Sequence, residues 1–207
     1  MQAAQTRAAV IDAAIALFGE FGWVNTSMRR VAKTAGVSME TVYSGFGSKG
    51  DLLAAVMDVA VVGDDLPIPL AQRDIALRLS HGTREERVAK AVSMSVSISR
   101  RTCELVQTLT QASATDTVLA GRLTALDQQR RGETAGYFEE VASRAPTDLE
   151  LDEVWLLTSA EVFHLLVHRL GWTPEQHEQW LSVRILELVS QKPQNTPDQG
   201  RKARRKA

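Results

Sequence analysis

Gly45, Gly47 and Gly50 stand at the spacing G-x-G-x-x-G, with Lys49 among them, in the stretch TVYSGFGSKGDLL from Thr41 to Leu53. That spacing is the fingerprint of a loop whose backbone amides cradle a nucleotide pyrophosphate. A second candidate is Glu161, His164 and His168, which share one face of a predicted helix, and two histidines four residues apart can hold a zinc ion between them. Cys103 is the single cysteine, so it closes no disulfide within the chain, and its neighbours in sequence supply no cysteine or histidine at ligand spacing.

Each candidate depends on the elements that position it. A dinucleotide loop needs a strand before its first glycine, because the strand end aims the amides, and here a helical pattern precedes Gly45. Asp65 lies at about the right distance downstream for a ribose partner, but in GDDLPIP, a loop rather than a strand end. The competing reading is that these glycines end one short helix and Ser48 starts another. In the second set, the glutamate precedes the histidines and no third strong ligand is identifiable, so polar pairing or interface packing is expected rather than a metal. Cys103 reads as a small buried side chain in a reducing compartment. No nucleophile, base and orienting group are brought together, so no catalytic set, cofactor or metal is expected and the chain does not read as an enzyme.

The 207 residues, 44% hydrophobic and 24% charged, suffice for a sizeable core. Gln5, Arg7 and Asp12 interrupt the apolar N-terminus, no cleavage-type region follows, and no uninterrupted apolar run reaches bilayer length, so neither signal peptide nor membrane span is expected and a cytoplasmic location is. The net charge of −1 is unevenly spread. Residues 1–57 hold five Lys/Arg against four Asp/Glu, residues 58–191 thirteen against twenty, and residues 192–207 six against one. The acidic middle disfavours nucleic acid and leaves the two ends as candidates.

Periodicity is helical throughout. Val10, Ala14, Leu17, Phe18 and Phe21 mark one face of a helix expected to stop near Gly19 to Gly22. Thr26 or Ser27 caps a short helix with Met28, Val31, Ala32 and Ala35 inward, and Gly36 ends it. Ser38 caps a second, with Val42 and Phe46 buried and Met39, Glu40, Thr41, Tyr43 and Ser44 largely outward. Two short helices around a tight Gly-Val turn describe a helix-turn-helix. Such a motif enters the major groove with residues near the N-terminus of its second helix, here Met39, Glu40, Thr41 and Ser44, with the cap Ser38 beside them. Thr41 and Ser44 can pair with several base edges, Glu40 can accept from cytosine, and Met39 and the Thr41 methyl can pack on thymine.

From Val10 to Val56 the chain resembles the DNA-binding domain of the TetR family of transcriptional regulators, on AALFGEFGWVNTSMRRVAKTAGVSMETVYSGFGSKGDLLAAV, with AGVS, TVY and F-x-SK-x-x-LL in order. The resemblance implies an all-α fold with an N-terminal helix-turn-helix domain at 1–57 and a helical ligand-binding and dimerisation domain at 58–191; the tail at 192–207, basic and without an apolar face, is expected from its composition to be disordered. It places Thr26, Ser27, Arg29, Tyr43 and Lys49 at the DNA backbone or groove edge, so the glycine stretch is expected to meet the phosphate of DNA. Ser44-Gly45 and Gly50 depart from the family pattern, the first leaving a small base-reading surface.

Beyond Val62, Pro67 and Pro69 end the fourth helix in the loop GDDLPIPLAQRD, and helices are expected at 70–80, 84–111, 115–142, 150–170 and 174–191, the last begun by Thr173-Pro174. Trp155, Leu156, Ser159, Phe163, Leu166, Val167 and Leu170, and then Trp180, Val183, Leu186 and Leu188, form broad apolar surfaces on the last two, with Trp155, Ser159, Phe163, Leu166, Trp180, Val183 and Leu188 the expected interface residues. In the resembled family such helices pair across a two-fold axis, which implies a homodimer on a palindromic operator. Ser93, Ser95, Ser97 and Ser99 alternate with Val92, Met94, Val96 and Ile98, a pattern that fits either a cavity of mixed polarity or close helix packing. The resemblance tips this toward an effector pocket among helices 84–111, 115–142 and 150–170, with no residue naming the ligand. The reading is a homodimeric repressor released from DNA by a small apolar or amphipathic molecule. A regulator governed by a protein partner, or constitutive, stays open beside it, as does, further off, a helical enzyme or metal-binding protein.

Overall fold

The computed structural model describes residues 2–63 and 81–191, and among them every element is helical. The expected helix at 70–80, the prolines before it and the tail at 192–207 lie outside the described residues. The elements are α1 (Gln2–Asn25), α2 (Met28–Ala35), α3 (Met39–Phe46), α4 (Lys49–Val62), α5 (Arg84–Ser113), α6 (Thr117–Ala142), α7 (Asp148–Leu157), α8 (Ala160–Phe163), a π-helical continuation over His164–Arg169, and α9 (Pro174–Ser190).

Hydroxyl caps set the starts. Ser27 accepts from the Arg30 amide at 3.2 Å, Ser38 from Thr41 at 3.1 Å and Ser48 from Asp51 at 3.1 Å, so each short helix has an otherwise unpaired amide satisfied locally. Thr83, Thr147 and Thr173 form full capping boxes with Glu86, Glu150 and Gln176. Gly36 and Gly47 close α2 and α3 in positive-φ conformations.

Two expectations are corrected. The first helix does not stop at Gly19 to Gly22 but kinks there: Gly22 takes φ 67°, accessible without strain only because it has no Cβ, and the helix resumes to Asn25. The expected 150–170 helix is broken at Thr158 and Ser159, because Ser159 caps a new start by accepting from Val162 at 3.1 Å. After Phe163 the turns widen to π geometry.

Two cores share α5. The first joins Val10, Leu17 and Phe18 of α1 with Val31, Val42 and Leu53 of the next helices and with Leu105 and Leu109 of α5. The second joins Val92 and Cys103 of α5 with Phe138, Val154, Phe163, Leu181 and Ile185. By length and composition α1 could cross a membrane, but its apolar residues Val10, Ile11, Ala14 and Phe18 are at most 1% exposed within the first core. Burying Phe18 there contributes about 1.5–3 kcal/mol. α4 runs past residue 57, the expected domain boundary, to Val62 and carries side chains into both halves of the molecule.

Candidate nucleic-acid interface

The outer face of α3 carries what the sequence predicts. Ser38, Glu40 and Ser44 are exposed, Met39 and Tyr43 are unusually open for large apolar side chains, and Thr41 is half-buried. The inner face, Val42 and Phe46, anchors the helix in the first core. Ser38 and Thr41 share a hydroxyl contact at 2.8 Å, and the Ser44 hydroxyl donates to the Thr41 carbonyl at 3.2 Å. This network holds small polar groups in fixed positions along one edge. Ser27 and Arg29 are exposed at the start of α2 beside it.

Two predicted DNA contacts are turned elsewhere. Thr26 is 1% exposed, and its hydroxyl donates to the Leu17 carbonyl at 2.9 Å. It fastens the end of α1 to the start of α2 and has no free side-chain surface. Lys49 donates to the Trp23 carbonyl, and its ammonium lies 4.0 Å from the centroid of the Trp23 ring. Partial burial pushes its pKa down. Sequence spacing could not reveal this tie, because Trp23 is 26 residues away and is reached only through the kink at Gly22. Arg30 also sits over an α1 ring, Phe21, at 3.6 Å.

Gly50 explains its departure from the family pattern. A Cβ there would lie 3.3 Å from the buried Leu119 Cδ2, so glycine lets the first turn of α4 approach α6 closely. Arg122 of α6 pairs with Asp51 at 2.7 Å beside it. The N-terminus of α4 is thereby tied to α6, and its C-terminal half, through Met57 and Val61, reaches a cavity.

That cavity, of about 180 Å³, lies among α5, α6, α7 and α8, with α4 and α9 adding walls the expected pocket did not include. Ser95 and Ser99 face it and Ser93 and Ser97 do not. Its lining is mainly apolar, with a polar end at Asp127, Arg130 and Glu161. Burial pushes the Asp127 carboxyl up against the pull of Arg130, and burial lowers Arg130 against the support of Glu161 and Asp127. Arg130 donates to the Trp155 carbonyl at 2.9 Å and lies 4.2 Å above the Trp155 ring.

The expected dimer residues divide. Ser159 and Phe163 are 3% and 1% exposed: the first caps α8 and the second packs edge-on against His177 at 5.1 Å, so both belong to the subunit interior. Trp155 is half-buried as the platform for Arg130. Leu166, Trp180 and Leu188 are half-buried and Val183 is exposed. Leu156 and Leu170 of the same expected apolar surface are exposed, as are Leu149 and Leu165, which were not singled out. The predicted Glu161, His164, His168 face is split as well. Glu161 lines the cavity, whereas the two histidine rings stack at 5.3 Å beside Glu104 of α5.

The profile of bacterial regulatory proteins of the tetR family matches residues 10–56, the span from α1 to α4 just described. Over this span the chain is similar to the DNA-binding domain of the TetR family of transcriptional regulators. An HTH-type transcriptional repressor of Streptomyces coelicolor is 29% identical over 70 residues, 34% of this chain and 36% of that protein, so the match spans about a third of the relative's length. For the whole fold, a TetR-family regulator structure from Rhodococcus sp. aligns with TM-score 0.69 at 15% identity, covering 90% of this chain and 100% of the other. NalD of Pseudomonas aeruginosa, the secondary repressor of the MexAB-OprM multidrug efflux pump, aligns with TM-score 0.62 at 20% identity over 90% of this chain and 96% of its own. These structures share with this chain the architecture of a helix-turn-helix domain followed by a larger helical domain.

Proposed function

We propose that this TetR-type protein is a cytoplasmic homodimeric repressor whose α3 helices read a palindromic operator. Ser38, Met39, Glu40, Thr41 and Ser44 would meet base edges, and Ser27, Arg29 and Tyr43 would position the head on phosphates. A small apolar or amphipathic molecule would enter the cavity and release the DNA. The observation that carries this reading is that one helix, α4, serves both sites: Leu52, Leu53 and Val56 lie in the core that holds α3, while Met57 and Val61 line the cavity. A ligand pushing on Met57 and Val61 moves a rigid rod whose other end seats the recognition helix. In a dimer this changes the separation of two heads that must lie about 34 Å apart to enter successive major grooves on one face of DNA. The exposed leucines and Val183 support pairing through α7 to α9, since an apolar surface of this kind is characteristic of an interface.

The test is fluorescence anisotropy of the full chain with duplex DNA from upstream of its own gene and with a scrambled duplex, at two salt concentrations. Tight, salt-dependent binding of two subunits to the first duplex alone supports the reader. A compound that stabilises the protein thermally yet leaves both DNA affinity and head separation unchanged refutes the release mechanism.

A further inference from the structure

Outside the lining of the cavity, α5 and the π-helical segment bring together four groups that the DNA-binding function does not use: Cys103, Glu104, His164 and His168. Cys103 Sγ lies 3.6 Å from His168 Nε2, and Glu104 Oε1 lies 3.4 Å from His164 Nδ1 and 3.6 Å from His168 Nδ1. The two nitrogen–oxygen separations are long for hydrogen bonds, which centre near 2.9–3.0 Å. His164 Nδ1 is buried and has no hydrogen-bond partner. A cluster that served only to pair an imidazole with a carboxylate would close these gaps.

The spacing suits a cation between the groups. With Zn–S at about 2.3 Å and Zn–N and Zn–O at about 2.0–2.1 Å, tetrahedral angles set the S···N edge near ~3.6 Å, which the Cys103 Sγ to His168 Nε2 separation matches, and the O···N edge near ~3.4 Å; Glu104 Oε1 lies against the other ring nitrogen, Nδ1, so it has to swing round to reach an ion held on Nε2. One donor atom each from Cys103, Glu104 and His168 lies within 4.8 Å of the others, so ligation needs a closing of up to about 1.2–1.4 Å to reach those edges. Glu104 and His168 are partly exposed and can supply it by side-chain rotation, whereas Cys103 is fixed in the second core. The partly exposed side gives the ion an entry path.

The fold supports this placement. The widened turns over His164–Arg169 put His164 and His168 in a stack on one side, an arrangement of the kind that π-segments make at functional sites. Their rings face α5, where Cys103 and Glu104 are adjacent in sequence.

We propose that Cys103, Glu104 and His168 form a binding site for one divalent cation of the zinc class, with His164 beside Glu104 as its positioning residue or fourth ligand. One thiolate, one imidazole and one carboxylate form a set for zinc, cobalt or nickel and a poor one for calcium or magnesium, which take oxygen ligands. Binding converts the Cys103 thiol to a metal thiolate and releases its proton to solvent. The bound ion clamps α5 to the segment after α8.

Cobalt(II) titration of the untagged full-length protein tests this directly. The expected result is a near-ultraviolet thiolate-to-cobalt charge-transfer band that saturates at one equivalent and disappears when zinc is added. Cys103→Ser abolishes the band, and both it and His168→Gln weaken competitive zinc binding by at least about 10-fold. His81→Gln leaves both unchanged. Circular dichroism melts show whether each variant is folded, and the wild-type spectrum decides the matter without any variant. No charge-transfer band in the wild type, or zinc affinity unaltered in folded Cys103→Ser, overturns the site.

Discussion

Lys49→Met separates two jobs that the same residue can hold. In the structure the ammonium is engaged with the Trp23 carbonyl and ring, which ties the start of α4 to the end of α1. Methionine keeps most of the aliphatic stem and removes the charge. A hydrogen bond from a charged donor contributes about 1.5–3 kcal/mol and an exposed cation–π contact about 0.5–1 kcal/mol. Partial burial of the ammonium, seen in its lowered pKa, offsets part of this. A net loss of about 1–2 kcal/mol is expected, or a Tm lower by roughly 2–8 °C for a chain of this size.

The DNA-binding assay should give the complementary result. Each phosphate contact adds about 0.9 to the slope of log K against log salt, so a lysine on phosphate removes nearly one unit per subunit when neutralised. For Lys49→Met the slope should hold while affinity falls only with the mispositioned head. Arg29→Ala, which alters an exposed residue of α2, should lower the slope by about one per subunit and leave Tm within roughly 2 °C. If Lys49→Met lowers the slope as Arg29→Ala does and leaves Tm unchanged, the tie to Trp23 is not what Lys49 does in solution.

Phe163→Ala should cost about 3–5 kcal/mol in urea unfolding, because the ring is 1% exposed in the second core, whereas Val183→Glu should leave the subunit folded and shift sedimentation toward monomer. The reverse pattern would return Phe163 to the interface. Glu150 is held down to about 2 by its hydrogen bonds with Arg144, at 2.6 Å and 3.0 Å. Its depressed folded-state pKa makes its stabilisation complete above the unfolded value near 4.5 and lost as pH falls toward 2. Glu150→Gln should therefore be about 1–3 kcal/mol less stable at pH 7, with the gap to wild type closing between pH 4.5 and 2 in denaturant melts. Ser95→Leu, which fills a wall of the cavity, should bind operator DNA with near-normal affinity and lose at least about 10-fold in response to any effector found for the wild type, read by anisotropy.

The parts of this molecule that were legible in the sequence are those written locally. A hydroxyl followed three residues later by an amide to satisfy is visible in one turn of chain, and Ser27, Ser38, Ser48 and Thr173 all start helices where the pattern puts them. Apolar periodicity likewise separates the inward Val42 and Phe46 from the outward Glu40 and Ser44. What escaped are long-range choices among equivalent residues. Thr26 and Ser27 are adjacent hydroxyls, and only the packing of α1 decides that the first is buried on Leu17 while the second caps α2. Phe163 and Val183 both read as apolar surface, yet the break at Thr158 and Ser159 turns Phe163 inward onto His177.

The histidines show the same limit from the other direction. Helical spacing groups His164 and His168 with Glu161, because an ideal helix would present all three on one face. The break at Ser159 and the π turns that follow rotate these residues relative to one another, sending Glu161 to Arg130 and the imidazoles to α5. The missing ligand was in the sequence as Cys103-Glu104, some 60 residues away, with nothing local to connect the two pairs. A side-chain cluster drawn from two helices is a property of how they pack, and that packing is what brings Cys103 and His168 within reach of one ion.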